Sequence, residues 1–345
     1  MIRLLIAAGA ALVLSLLGTR WLIKALRVLK IGQPIREDGP QGHLTKAGTP
    51  TMGGLAIVGG AFFGYVVSNL YRGIYTRSGL FVMLAIVGGG LVGFLDDWIK
   101  VSRERNLGLN KRTKLTGQLL VAVGFAAAMT TFTNIHTELS FTRWDSIGLD
   151  LGRWGWSAWA VLLILSMSNA VNLTDGLDGL AAGAAILSFA AFVVIGFWQF
   201  RHVGDYDVPH ALDVAVIGAA MLGGCLGFLW WNAPPAQIFM GDAGSLAIGA
   251  GLAALALVTN THLLLVVIGG LFLVETISVV LQVASFRLSR KRRRIFRMAP
   301  IHHHFELGGW PETTVLIRFW IIHGMAVAVG LGLFYADFIN KGGLD

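Results

Sequence analysis

The chain has 345 residues, of which 55% are hydrophobic and only 13% charged; soluble proteins carry about 25% charged residues. With a mean hydropathy of +0.69, this composition excludes a sizeable soluble domain and leaves a polytopic membrane protein. The net charge of +8 reads first as a membrane-topology signal and second as a signal for an anionic substrate.

A membrane span needs about 20 apolar residues. Ten candidates follow in chain order, near 3–25, 52–70, 79–95, 114–133, 156–172, 177–199, 211–231, 243–259, 263–286 and 315–337. The predicted fold class is all-α, a single transmembrane domain over 1–345. Its 45 glycines suit helices that pack closely through small residues. The first apolar run leads into Arg20, Trp21 and Lys24, with no small-residue cleavage site, so it reads as a retained span. Cys225 stands alone in an apolar run and allows no internal disulfide.

The connections after odd-numbered spans hold seventeen lysines and arginines, and those after even-numbered spans hold five. The positive-inside rule therefore puts the odd connections in the cytoplasm and both termini on the external face. Trp144, Trp154 and Trp156, in the external 134–156 connection, suit an interfacial belt.

Five aspartates at span margins then fall on the cytoplasmic side: Asp96, Asp97, Asp175, Asp178 and Asp242. A carboxylate near hydrocarbon costs about 2.5–3.5 kcal/mol even on lenient scales. Five on one face repel unless cations neutralise them, which points to a divalent metal and, beside so many basic residues, to a phosphorylated substrate.

Each motif has a plainer reading beside the functional one. Asp96 and Asp97 point about 100° apart on a helix, so one can bind metal or act as a base while the other supports it. Lys100, four residues after Asp96, is either a salt-bridge partner or a phosphate ligand. Asp175 and Asp178, with Gly176, Gly179 and Asn172, form either a polar turn or a ligand-binding segment; two acids and an asparagine favour the second. Asp242 precedes Ala243-Gly244-Ser245 and can cap the eighth span. A cap does not account for Asn232 and Phe239, which share its Pro-rich connection. The internal His302-His303-His304 suits donation to phosphate or sugar oxygens better than zinc, because consecutive residues seldom converge on one ion. Glu275, inside the ninth span, is a functional candidate by its position or a partner for a neighbouring helix. Gly88-Gly89-Gly90-Leu91-Val92-Gly93 fits a dinucleotide fingerprint only formally: no soluble strand precedes it, and helix packing accounts for it.

Thr49-Pro50-Thr51-Met52-Gly53-Gly54, Leu95-Asp96-Asp97, Asn172-Leu173-Thr174-Asp175-Gly176-Leu177-Asp178-Gly179, Phe239-Met240-Gly241-Asp242 and Ala299-Pro300-Ile301-His302-His303-His304-Phe305-Glu306, in this order, resemble the phospho-N-acetylmuramoyl-pentapeptide transferase family. The resemblance runs over nearly the whole chain. The histidine segment and Gly309-Trp310-Pro311-Glu312 are its most specific part, separating this branch from related polyprenyl-phosphate hexosamine-phosphate transferases. Ala243 departs from the pattern, where threonine is common.

The resemblance implies a magnesium-dependent transfer of phospho-MurNAc-pentapeptide from UDP-MurNAc-pentapeptide to undecaprenyl phosphate, giving lipid I and UMP in peptidoglycan synthesis. It implies a bacterial cytoplasmic (inner) membrane location with the active site facing the cytoplasm. Membrane lipid is a further partner, a homodimer is compatible with it, and no nucleic acid is involved. By the same resemblance, Asp242 is the Mg2+ ligand, and Asp96 deprotonates the lipid phosphate or attacks the diphosphate in a two-step version. Asp97 supports Asp96, and His302 joins them as a catalytic residue. Lys46, Thr51, Asn172, Asp175, Asp178, Asn232 and Phe239 form the nucleoside-side pocket, with Phe239 stacking on uracil. Lys100, Lys114, Gln282 and His303 are further substrate-side residues. Two rival readings are a sibling transferase using a UDP-N-acetylhexosamine without peptide, and a transporter. The transporter would place ionisable groups at the bilayer midplane and show paired repeats; here the five aspartates lie at span ends on one side, and the sequence shows no repeat.

Overall fold

The structure, a computed structural model, describes residues 1–28, 48–71, 73, 75–102, 108–290 and 292–341. In hydrocarbon every backbone N–H and C=O must be satisfied within the protein, which leaves a lone apolar segment only the helix. The elements are α1 (Ile2–Val28), α2 (Gly54–Asn69), α3 (Arg77–Ser102), α4 (Lys111–Phe132), β1 (Glu138–Leu139), β2 (Leu149–Asp150), α5 (Gly152–Thr174), α6 (Leu180–Arg201), α7 (Val203–Tyr206), α8 (Ala211–Asn232), α9 (Gly241–Val258), α10 (Leu264–Ile268), α11 (Gly270–Leu288), α12 (Ile301–Glu306) and α13 (Glu312–Asn340). The all-α expectation holds apart from the antiparallel β1–β2 pair in the 134–156 connection.

Among the described residues, nine helices are long and apolar enough to cross a membrane. The second predicted span, α2, has 16 residues. At 1.5 Å per residue that is about 24 Å, short of a hydrocarbon core of about 30 Å. The ninth predicted span is not continuous, because the backbone breaks at Gly269 between α10 and α11. Other helices satisfy the groups freed there. Ser188 Oγ donates to the Ile268 carbonyl at 3.0 Å, and Leu271 N–H donates to His323 Nδ1 at 3.4 Å. The third span also runs further than expected. Its helix continues to Ser102, which places Asp96 and Asp97 inside the helix and not at its end.

α9 is the axis of the bundle. In its 18-residue apolar window, 94% of residues are buried, against 22% for α1 and α11, and α2, α3, α5 and α6 pack around it. Small residues allow the closest crossings. A Cβ on Gly93 of α3 would overlap the Asp242 backbone carbonyl, and one on Gly54 would overlap the backbone of Gly244. Arg3 and Lys341, near the two ends of the described residues, lie at the end of the bundle away from these crossings. Arg3 reaches Asp213 in the first turn of α8, and Lys341 reaches Asp145 in the connection that leads into α5.

The crossing yields a direct expectation. Gly93→Ala drives a methyl group into the α9 backbone and lowers stability by about 1–3 kcal/mol or more. Gly59→Ala, at a position where a Cβ meets no neighbour, leaves stability unchanged or raises it by up to about 1 kcal/mol. Thermal unfolding of the two variants in detergent, side by side, checks this.

Candidate active site

The site is assembled from helix ends. Asp96 and Asp97 come from the C-terminal part of α3, Lys114 from the first turn of α4, Asn172 from the last turn of α5 and Asp242 from the first turn of α9. Asn110 fixes the start of α4: its side-chain oxygen accepts from Thr113 N–H at 2.8 Å, an ordinary N-cap. Asp96, Asp97 and Asp242 are buried, and each presents a carboxylate oxygen within 4.8 Å of the others.

Lys100 bridges all three. Its Nζ lies 2.6 Å from Asp96 Oδ2, 2.8 Å from Asp242 Oδ2 and 3.5 Å from Asp97 Oδ1. Lys114 Nζ lies 2.7 Å from the same Asp242 oxygen. Asn172 Nδ2 donates to the other Asp242 oxygen and, at 2.9 Å, to Ser245 Oγ. The cap of α9 is Asp97 and not Asp242. Asp97 Oδ2 accepts from Ala243 N–H at 3.0 Å, while Asp242 sits one residue inside the helix. Both carboxylates are favoured there by the positive end of the helix dipole. Asp96 Oδ1 accepts from Leu109 N–H at 2.9 Å, so the chain entering α4 folds over it.

Three carboxyl groups face two ammonium groups here, and the donors are all oxygens. Such a set suits a hard divalent cation such as Mg2+ more than a softer metal. Asp242, the metal ligand expected from the sequence, is joined in this set by Asp96 and Asp97. Asp175, just beyond α5, is pushed up to about 8 by burial and then by the charges of Asp242, Asp97 and Asp178.

The other residues expected in the pocket fasten the neighbouring loops. Asp178 Oδ2 accepts from Ala236 N–H at 3.0 Å, and Asp178 N–H donates to Glu312 Oε1 at 3.2 Å. Asn232 Oδ1 accepts from Gly179 N–H at 3.0 Å, and its Nδ2 donates to the Ile238 carbonyl at 2.9 Å. Phe239 is half-buried. Its N–H donates to the Pro50 carbonyl at 2.8 Å and its carbonyl accepts from Gly53 N–H at 2.9 Å. Thr51 packs beside Gly241, whose φ is +73°. The 232–240 loop is thus pinned between the α5–α6 turn and the segment before α2.

Three further expected site residues contact protein groups. Gln282 Oε1 accepts from the N–H groups of Ile295 and Phe296 at 3.0 and 2.9 Å, and its Nε2 donates to the Phe296 carbonyl at 2.9 Å. His302 is fully buried, with its ring against Gly176. His303 Nδ1 lies 2.7 Å from Glu306 Oε2. Lys46 lies outside the described residues. Sequence reasoning did not anticipate the contact of Ser245 with Asn172, the backbone of Leu109 on Asp96, or the contact of Glu312 with Asp178. Of these, only Glu312 carried a signal, standing directly after Gly309-Trp310-Pro311.

A bundle of apolar helices with this acidic cluster at one end is matched over residues 79–260 by the profile of glycosyl transferase family 4, which makes the class a polytopic membrane transferase. Residues 46–58 match phospho-N-acetylmuramoyl-pentapeptide-transferase signature 1. Proteins named phospho-N-acetylmuramoyl-pentapeptide-transferase are similar over almost their full length. The one from Frankia casuarinae is 54% identical over 98% of this chain and 99% of the relative. That from Thermobifida fusca is 52% identical over 99% and 100%, and that from Cutibacterium acnes 48% identical over 98% and 99%. The chain belongs to the phospho-N-acetylmuramoyl-pentapeptide-transferase family.

The capping role of Asp97 separates two variants. Asp97→Asn keeps an acceptor for Ala243 N–H and leaves thermal stability close to that of the parent. Asp97→Ala removes the cap and lowers stability by about 0.5–2 kcal/mol. Equal melting temperatures for the two variants would contradict the cap.

Proposed function

We propose that the chain transfers phospho-MurNAc-pentapeptide from UDP-MurNAc-pentapeptide to undecaprenyl phosphate, releasing UMP and leaving lipid I for peptidoglycan synthesis. The observation that carries this is the run of relatives about half identical over nearly the entire chain, all bearing that transferase name. The protein is a multi-pass bacterial membrane protein, and the active site faces the cytoplasm, where basic connections concentrate. That orientation suits a soluble, polyanionic donor meeting a lipid phosphate at the interface.

Phosphoryl transfer depends mainly on positioning and charge neutralisation. Asp242, with Asp96 and Asp97, would hold Mg2+, which when bound polarises the diphosphate and stabilises the departing UMP. Lys100 and Lys114 bring two ammonium groups to the same carboxylates and are placed to neutralise phosphate oxygens. Asn172 orients Asp242 through its amide. Asp96 takes the proton of the lipid phosphate, whose oxygen then attacks the phosphorus bonded to the sugar, and the bond to UMP breaks. Asp175, Asp178, Asn232 and Phe239 shape the nucleoside side, with Thr51 at its edge.

Asp96→Asn is the sharpest test. The amide keeps the shape and can still meet Leu109 N–H, but it takes no proton and carries no charge. Donor binding survives, and single-turnover UMP release with undecaprenyl phosphate falls far more than tenfold, a barrier change above about 1.4 kcal/mol. Measured on one preparation, with each substrate and Mg2+ omitted in turn, loss of donor binding along with turnover would remove the base assignment. UMP release without lipid phosphate would replace direct attack by a two-step route.

A further inference from the structure

Two fully buried ionisable groups face each other beside the site. Glu275 lies in α11, and His302 lies in the first turn of α12. Both side chains are wholly excluded from solvent, with Glu275 Oε2 3.1 Å from His302 Nδ1. Neither carboxylate oxygen and neither ring nitrogen has an aligned hydrogen bond among the described residues. The 3.1 Å approach of Oε2 to Nδ1 is thus the polar contact that the two side chains share, and a buried polar group needs one.

A carboxyl oxygen 3.1 Å away favours the hydrogen on Nδ1 over Nε2, at the opposite corner of the ring. Nε2 lies on Gly176. A Cβ at that position would overlap Nε2 and come within 2.8 Å of Cε1. Gly176 stands in the turn that supplies Asp175 and Asp178. A line of contact therefore runs from α11 through the imidazole to the α5–α6 turn, and glycine at 176 makes room for the ring.

We infer that Glu275 is a positioning residue for His302, holding its ring and its Nδ1–H tautomer so that Nε2 is presented at the Asp175–Gly176 turn. Carboxylates orient working histidines in this way when they hold the second ring nitrogen. The inference rests on the reading of His302 as a site residue. A pair that merely fastened α11 to α12 would have no stake in the tautomer or in the residue at 176.

The test is a set of double-mutant cycles on the full-length protein with both substrates and Mg2+. Glu275→Gln and Gly176→Ala are each expected to lower kcat by about tenfold or more, with KM for the uridine donor changing by less than about threefold. In a His302→Ala background, each is expected to lower kcat by no more than about twofold, because residues acting through one group are not additive. Effects that multiply fully in that background would overturn the inference and leave the His302 reading intact. A His302→Ala variant with parental kcat would instead remove the His302 reading, and the inference with it. A second measurement needs no active variant: 15N NMR of ring-labelled histidines, with the His302 signals identified by their loss in His302→Ala. Protonated Nδ1 in the parent supports the inference, and a proton on Nε2 alone refutes it.

Discussion

The close crossing of α3 and α9 is the constraint on which the site depends. With no side chain at Gly93, the two backbones meet at the Asp242 carbonyl. Asp96 and Asp97 follow one turn later on α3, so the crossing delivers them to the first turn of α9. Asp97 then closes the joint by capping that helix through Ala243 N–H. Packing and chemistry share these atoms: the contact that joins the two helices also brings three carboxylates within 4.8 Å.

Such a cluster is costly by itself. Carboxylates buried together repel, and burial adds a desolvation penalty to each. The bundle supplies the compensation from several directions. Lys100 comes from the same helix, Lys114 from the start of α4 and Asn172 from the end of α5. Each group sits on a helix fixed by its own packing, so their convergence is a property of the whole bundle and not of one loop. Asp178 and Asn232 have a second task, because they hold the 232–240 loop that carries Phe239. The 232–240 loop and the cluster are therefore tied together through backbone hydrogen bonds.

Much of this was legible in the sequence. Apolar length suggested ten spans where nine helices among the described residues are long enough, but parity still brought Asp96, Asp97, Asp175, Asp178 and Asp242 to one end. What was not legible has physical causes. Hydropathy marks an apolar stretch but not where a helix stops, so α3 runs on to Ser102 through the polar Asp96, Asp97 and Lys100. The break at Gly269 is invisible to hydropathy, because its satisfying groups, Ser188 and His323, come from other helices. A residue type also does not declare its partner: capping was one reading open to Asp242, and the cap comes from Asp97, far away in sequence. The protein contacts of Gln282 and His302, both expected at the site, also carried no signal in the sequence.

The central claim is that the Asp96–Asp97–Asp242 cluster holds a divalent cation against the diphosphate of the donor. Pulsed EPR with Mn2+ in place of Mg2+ tests it most directly. The account predicts one bound Mn2+ whose signal acquires 31P couplings when UDP-MurNAc-pentapeptide is added, and whose binding is lost in Asp242→Asn. Mn2+ that binds Asp242→Asn as tightly as the parent, or that shows no phosphorus coupling with the donor bound, would contradict it.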